Sequence, residues 1–346
     1  MKKLLIAAIP LILFSLSGCS SGYKDIETGR TVNAGPLVEV DHNIKIGILQ
    51  PVEHPALGMA RQGFVDGLKE KGFVNGKNIT IDYRNAGGRD ASQKTLAKAL
   101  VVKNEINLGI GTGATQTLKA AEENAGKTNP LLFTAVTDPV AGKLLENNNA
   151  PEGFVTGTSD MNPVAAQIQL IKECLPNATK IGVLYTQKEV NSEVQANMAK
   201  EEAQNQGLEC EIRTITSASE IKLAAQGLAS SCQAIFLPTD NTIASNLAAV
   251  SSAVKSAGTL LVAGEEGMLA NGAHVTLSID YYELGKATSA MAVSLIDGSK
   301  QIKDIPVGIM TADECEYVLS TENLKASNID IGGAMNTHTW RDIDKK

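Results

Sequence analysis

A strand-then-helix alternation that runs from about residue 44, closes near residue 160 and then begins again most limits what this chain can fold into. In the first half, "IKIGILQ" (44–50), "NITIDYRNA" (78–86), "NLGIGTG" (107–113), "PLLFTAV" (130–136) and "GFVTGTS" (153–159) are short apolar or alternating runs. Helical patterns follow them at Ala56 to Lys71, Ser92 to Lys103, Thr115 to Asn124 and Pro139 to Glu146. The second half opens on a helical pattern from Pro163 to Leu175. Its runs are "KIGVLY" (180–185), "LECEIRT" (208–214), "QAIFLP" (233–238), "TLLVAG" (259–264) and "AHVTLSI" (273–279), with helices ending near Gln206, Ala229 and Ala257. Strands of this length, separated by helices, read as parallel sheets covered on both faces. The expected fold class is α/β, with two doubly wound parallel-sheet lobes and a ligand cleft between them.

In open α/β sheets ligands bind beyond the carboxyl ends of the strands, so the site candidates can be read from the residues after each run. The first half offers Gln50, His54 and Pro55, then Gly111, Thr112, Gly113 and Thr115, then Thr137 and Asp138, then Ser159 and Asp160. The second half offers Tyr185 and Asn191, then Thr239, Asp240 and Asn241, then Glu265 and Glu266, then Asp280 and Tyr281. Structural roles compete with binding at several of these. Asp138 before Pro139, and Asp240, are each good helix N-caps. The glycines of "GIGTGAT" can serve a tight turn alone, or can offer backbone N–H groups at a helix N-terminus to an anion such as a carboxylate.

The N-terminus sets the compartment. Lys2 and Lys3 precede an apolar stretch from Leu4 to Leu16, too short for a hydrocarbon core that needs about 20 residues, so residues 1–18 read as a signal peptide. Leu16-Ser17-Gly18-Cys19 resembles the lipobox of bacterial lipoproteins, which implies lipidation at Cys19 and an extracytoplasmic protein anchored to the cell membrane. Residues 19–43 lack sustained periodicity and read as a flexible spacer. The formal charge is −7, or −9 without Lys2 and Lys3, which disfavours nucleic acid as a partner. Beyond Cys19 the cysteines are Cys174, Cys210, Cys232 and Cys315, without CxxC spacing, and both disulfides and buried free thiols remain open.

Nothing in the sequence builds a catalytic or metal centre. Of the histidines His42, His54, His274 and His338, only His54 stands at a strand tip, and HExxH, GxSxG and metal-ligand spacings are all missing. Asp138, Asp240 and Glu266 could serve a glycosidase, but aromatic residues make up only 4% of the chain, few for stacking sugars. The expectation is a binding protein that is not an enzyme, with no cofactor and no metal.

Several long stretches carry a resemblance. "IGILQPVEHPALGMARQGFVDGLKEKGF" (46–73), "FTAVTDPVAGKLL" (133–145), "GTSDMNPVAAQIQLIKECLPNATKIGVLY" (157–185), "LPTDNTIAS" (237–245), "GEEGMLANGA" (264–273) and "IDYYELGKATSAMA" (279–292) resemble the ABC transporter substrate-binding lipoproteins that include the tryptophan- and tyrosine-binding members. The resemblance implies a type I periplasmic-binding-protein fold with three crossings between lobes. Lobe 1 would be residues 44–157 plus about 281–312, and lobe 2 residues 158–280 plus about 313–346. It also implies a monomer that captures a small molecule, an aromatic amino acid, and delivers it to a cognate ABC permease and ATPase. Other readings are a sensory module of the same fold, or import of a sugar or nucleoside.

Under the amino-acid reading, the carboxylate would be held at Thr112, Thr115 and Thr137. Asp240 or Asp280 would pair the ammonium, with Asp138 and Glu266 behind them. Gln50, His54 and Pro55 would wall the side chain, and Tyr185 and Tyr281 would offer stacking faces. Two cleft positions depart from the family pattern. Gly264-Glu265-Glu266 stands where a small residue and Asp are common before "EGM", and Gly111-Thr112-Gly113 stands where an Ala-Thr-Pro-type turn is frequent.

Overall fold

A computed structural model describes residues 31–311 and 314–345, together with the short strand β1 (Tyr23–Lys24). The signal segment and Cys19 lie outside the described residues. Strand β1 pairs antiparallel with β2 (Thr31–Val32).

The first sheet takes β3 (Ile44–Gln50), β4 (Ile79–Asn85), β5 (Ile106–Ile110), β6 (Leu131–Thr134) and β7 (Val155–Ser159). Its order is β13-β7-β6-β5-β3-β4, where β13 is Gly308–Ile309 and every pairing is parallel. Strands β5, β6 and β7 are buried at every position, whereas β4, at the edge, is not. Side chains alternate between two cores, one on each face. Ile48 joins Ile46, Phe64 and Leu108 on one side, and its neighbour Leu49 joins Leu100, Leu118 and Phe133 on the other. Helices α1 (Pro55–Glu70), α2 (Asp90–Lys103) and α3 (Thr112–Asn124) supply the covering layers.

The second sheet repeats the plan with β8 (Lys180–Thr186), β9 (Glu209–Ile215), β10 (Ala234–Leu237), β11 (Leu260–Ala263) and β12 (Val275–Ile279). Strand β14 (Cys315–Leu319) adds antiparallel to β12, and β15 (Trp340–Asp342) adds parallel to β14. Helices α4 (Val164–Cys174), α5 (Val190–Asn205) and α6 (Ile221–Ala229) cover its faces, with α7 (Asn241–Ala244) and α8 (Leu247–Lys255) following β10. In both sheets the second strand in the chain lies outside the first, and the third, fourth and fifth follow on the other side. The direction of winding therefore reverses between β3 and β5 and between β8 and β10. Each reversal opens a crevice at the strands' carboxyl ends.

The chain passes between sheets after β7, after β12 and between β13 and β14. The second passage runs into α9 (Tyr281–Ile296), which lies against α1. That crossing needs glycine on both helices. A methyl group on Gly63 would stand 1.9 Å from the Tyr282 carbonyl oxygen, and one on Gly285 would stand 2.0 Å from that of Ala60.

Four local expectations are corrected. Residues 139–146 form turns instead of a helix. Asp138 accepts hydrogen bonds from the Val140 and Ala141 N–H groups, but Lys143 takes φ 56°, which ends any helical path. The helix expected to reach Ala257 is divided into α7 and α8. Helix α3 starts at Thr112 instead of Thr115, because Gly111 at φ 80° turns the chain directly from β5 into the helix. Part of the expected spacer is docked on the first lobe. Gly35 N–H donates to the Lys69 carbonyl, Lys69 Nζ to that of Val32, and Asn78 Nδ2 to that of Val38 (3.0, 3.0 and 2.7 Å), while Val38 and Val40 pack on the core. Of the two readings left open for the cysteines, Cys174, Cys210, Cys232 and Cys315 are all free thiols.

Candidate functional site: the cleft between the lobes

The carboxyl ends of the two sheets face one another across an inner cavity. His54, Thr112 and Thr137 reach it from the first lobe, Asn191, Thr239, Asn241 and Glu265 from the second, and Asp160 and Tyr281 from the passages after β7 and β12. Ala56, Leu57 and Ala135 complete the wall. The cavity encloses about 10 Å³, room for a single water. It opens past Thr112, Asn191 and Asn241 into a groove of about 670 Å³ between the lobes. Among the described residues, no group of His, Cys, Asp or Glu could hold a metal, and no helix is long and apolar enough to cross a membrane.

Direct contacts join the lobes. The Thr137 and Thr239 hydroxyls lie 3.2 Å apart, and the Ser245 hydroxyl donates to the Glu53 carbonyl at 3.2 Å. Thr239 is fixed from its own lobe, because Asn191 Nδ2 donates to its carbonyl at 2.7 Å and Gln195 Nε2 to its hydroxyl. Thr137 is fixed through its carbonyl, which accepts from the Ser159 hydroxyl at 2.8 Å.

Two acids carry the cavity's electrostatics. Asp160 is buried; its Oδ2 accepts from the Tyr281 hydroxyl at 2.8 Å, and its Oδ1 has no hydrogen-bond partner. Burial pushes its carboxyl above the usual range, against the pull of the Tyr281 hydroxyl and of the nearby Thr137 hydroxyl, which stands outside hydrogen-bond geometry. Glu265 is also buried, with Oε2 accepting from the Gly267 N–H and Oε1 unpartnered. Burial, with the neighbouring Glu266 and Asp160 charges, pushes it up to about 8. His54 Nε2 lies 3.9 Å from Oε1. Since His54 Nδ1 accepts from the Ala56 N–H, capping α1, and burial holds the ring down to about 4, the neutral imidazole carries its proton on Nε2. Thr112, in the first turn of α3, lines both the cavity and the groove, and the helix begins there without any side-chain cap, so its positive dipole end stands at the cleft.

The other sequence candidates stand outside the inner cavity. Gly113 lines the groove, and Pro55 lines a separate hollow of about 390 Å³ beside Ser245. Gln50 braces the loop, donating to the Val52 carbonyl and accepting from Tyr83. The Thr115 hydroxyl turns back to the Gly111 carbonyl. Tyr185 packs on a core of the second lobe. Asp240 is fully engaged: Oδ2 accepts from the Thr186 N–H at 2.7 Å, and Oδ1 accepts from the Thr186 hydroxyl and from the Ile243 N–H that caps α7. Asp280 caps α9 through Tyr282 and Glu283 N–H groups, and Glu266 pairs with Arg341. Ala56, Leu57 and Ala135 were not legible as wall residues. The first two are simply the turn after the His54-Pro55 cap signal, and Ala135 enters the cavity at φ 56°, a conformation that alanine does not advertise.

Two α/β lobes of matching strand order, linked by three passages and closing on a polar cavity, define the class of type I periplasmic-binding proteins. Residues 45–338 match the family described as ABC transporter substrate binding protein, and the chain belongs to it. It is 34% identical over 328 residues to the tyrosine-binding protein of Clostridioides difficile, covering 94% of this chain and 92% of the relative. An ABC domain from Streptococcus pneumoniae in complex with L-Trp is 33% identical at a TM-score of 0.81, with 87% of this chain and all of the other covered. A ligand-free, open substrate-binding protein with adhesive properties from Clostridium difficile is 34% identical at a TM-score of 0.66, with 86% and 99% covered. Overlap is lower with the open form at almost equal identity, which accords with lobes that are drawn together in this chain.

Proposed function

We propose that this protein captures an aromatic amino acid, tyrosine or tryptophan, between its lobes on the outer side of the membrane and delivers it to a cognate ABC permease and ATPase, tethered by lipid at Cys19. The observation that carries this reading is the pairing of opposite demands in one cleft. Asp160 presents a buried, unpartnered Oδ1, while α3 presents uncapped N–H groups beside the Thr112 hydroxyl. An orphaned buried acceptor costs about 1–3 kcal/mol, which an ammonium would relieve, and a helix N-terminus suits the carboxylate of the same zwitterion. Asp160 therefore takes the ammonium role in place of Asp240, whose oxygens are engaged by Thr186 and Ile243, and of Asp280, which caps α9. Ala56, Leu57 and Ala135 give the side chain an apolar wall. Tyrosine and tryptophan are the ligands named for the relatives.

The cavity is too small for an amino acid, so the lobes must part for entry and close on the ligand. Native mass spectrometry of the purified protein and a thermal-shift screen of the amino acids test this, because a ligand raises stability as ln(1 + [L]/Kd). Tyrosine or tryptophan is expected to give the largest shift. A shift with a sugar or nucleoside and none with any amino acid would overturn the reading.

A further inference from the structure

The amino-acid reading uses one of the two unpartnered acids in the cavity and leaves the other idle. Glu265 is 1% exposed, and one of its oxygens is tied to the Gly267 N–H, so the position of Oε1 is set by the backbone of its own loop. That loop rests on the first turn of α1: a methyl added at Gly267 would stand 3.0 Å from both the Ala56 nitrogen and Pro55 Cβ. Oε1 therefore lies on the side of the cavity formed by His54 and the first turn of α1, while Asp160 is bonded to the Tyr281 hydroxyl. The protonated His54 Nε2 is 3.9 Å from Oε1, beyond hydrogen-bond range.

We propose that Glu265 selects the ligand's side chain: its Oε1 accepts a hydrogen bond from a phenol O–H or an indole N–H, so the cleft takes aromatic amino acids with a ring donor and rejects phenylalanine. The inference rests on the amino-acid reading. A site built to hydrogen-bond a ligand group rejects the analogue lacking it far more strongly than an apolar pocket rejects a missing methylene, because the site's polar group is then left buried and unpaired.

Titration calorimetry of the unaltered protein with tyrosine, phenylalanine, tryptophan and 3-benzothienylalanine, which has tryptophan's shape without its N–H, tests this without any folding risk. Each ligand with a donor is expected to bind at least about 100-fold more tightly than its counterpart without one. In Glu265→Leu that ratio should fall below about tenfold while phenylalanine affinity holds. Equal binding within each pair in the unaltered protein overturns the proposal and leaves the amino-acid reading standing. Equal losses for all four ligands in Glu265→Leu also overturn it, making Glu265 a second partner of the ammonium. Should none of the four bind, the amino-acid reading itself fails and takes this proposal with it.

Discussion

The Thr137 and Thr239 hydroxyls meet 3.2 Å apart in the buried seam between the lobes, each at the tip of an apolar strand. Because Gln195 Nε2 already donates to the Thr239 oxygen, the Thr239 proton is free for Thr137. Closure thus has a contact of its own that needs no ligand. Thr137→Val and Thr239→Val should each shift the ligand-free protein toward the open form, seen as a larger radius of gyration by X-ray scattering. The double variant should show a coupling of about 0.5–1.5 kcal/mol in melting experiments. Thr239→Val should cost more, since it also strands the Gln195 amide. Additive effects would show that the two hydroxyls do not interact in solution.

Replacing Asp160 by Asn keeps the size of the side chain and an acceptor for the Tyr281 hydroxyl, but removes the buried charge. Losing one partner of a buried charged pair costs about 2–5 kcal/mol in binding, so affinity for tyrosine or tryptophan should drop by a factor of about 30 or more. The ligand-free variant should melt no lower than the parent, because the desolvated carboxyl is a liability without its ligand. Calorimetry showing parental affinity would remove Asp160 from the ammonium role.

Asp240 makes the opposite case. Its carboxylate ties the Thr186 N–H and hydroxyl to the first turn of α7. Asp240→Ala should therefore cost about 2–4 kcal/mol of stability, as a lost cap plus stranded buried donors, and lower Tm accordingly. Ligand affinity measured well below that Tm should change by less than about tenfold. A loss as large as that of Asp160→Asn would restore Asp240 as a ligand partner.

The contrast between these two aspartates marks where the sequence stops being informative. Short apolar runs and the helical spacing between them marked the strands, because burial on both sheet faces favours continuous apolar stretches, as in β10 and β11. The same reasoning placed His54, Thr112, Thr137, Asp160, Thr239 and Glu265 at strand tips, and all of them line the inner cavity. It could not rank them. Asp138, Asp240 and Asp280 each precede a turn or helix and satisfy N–H groups there; Glu265 caps its turn in the same way, yet it and Asp160 each keep one buried oxygen unpaired. Local sequence encodes capping, but an orphaned atom is a tertiary fact. Residues 139–146 show the same limit: a good cap and proline promised a helix, and a left-handed Lys143 ended it.

Glu265 also predicts how stability depends on pH. Burial raises its carboxyl from the ordinary value of 4.5 to about 8, so the folded, ligand-free protein holds a proton that the unfolded chain has released, and a ring donor binding at Oε1 must displace that proton. Its contribution is fully present below about pH 4.5 and is lost as pH rises through about 8. His54 and His274, both held down to about 4 by burial, act in the reverse sense, removing stability as pH falls from about 6.5 toward 4. The Glu265 term is isolated by Glu265→Gln, which keeps an uncharged side chain of the same size at every pH. The Tm of the ligand-free variant should gain on that of the parent between pH 6 and about pH 8 and level off above it, while both should share the decline below pH 6 that the two histidines impose. A Tm difference that stays flat from pH 6 to 9 would mean that Glu265 is ionised with an ordinary carboxyl in the folded protein, and that its loop opens to water in a way the closed cleft does not allow.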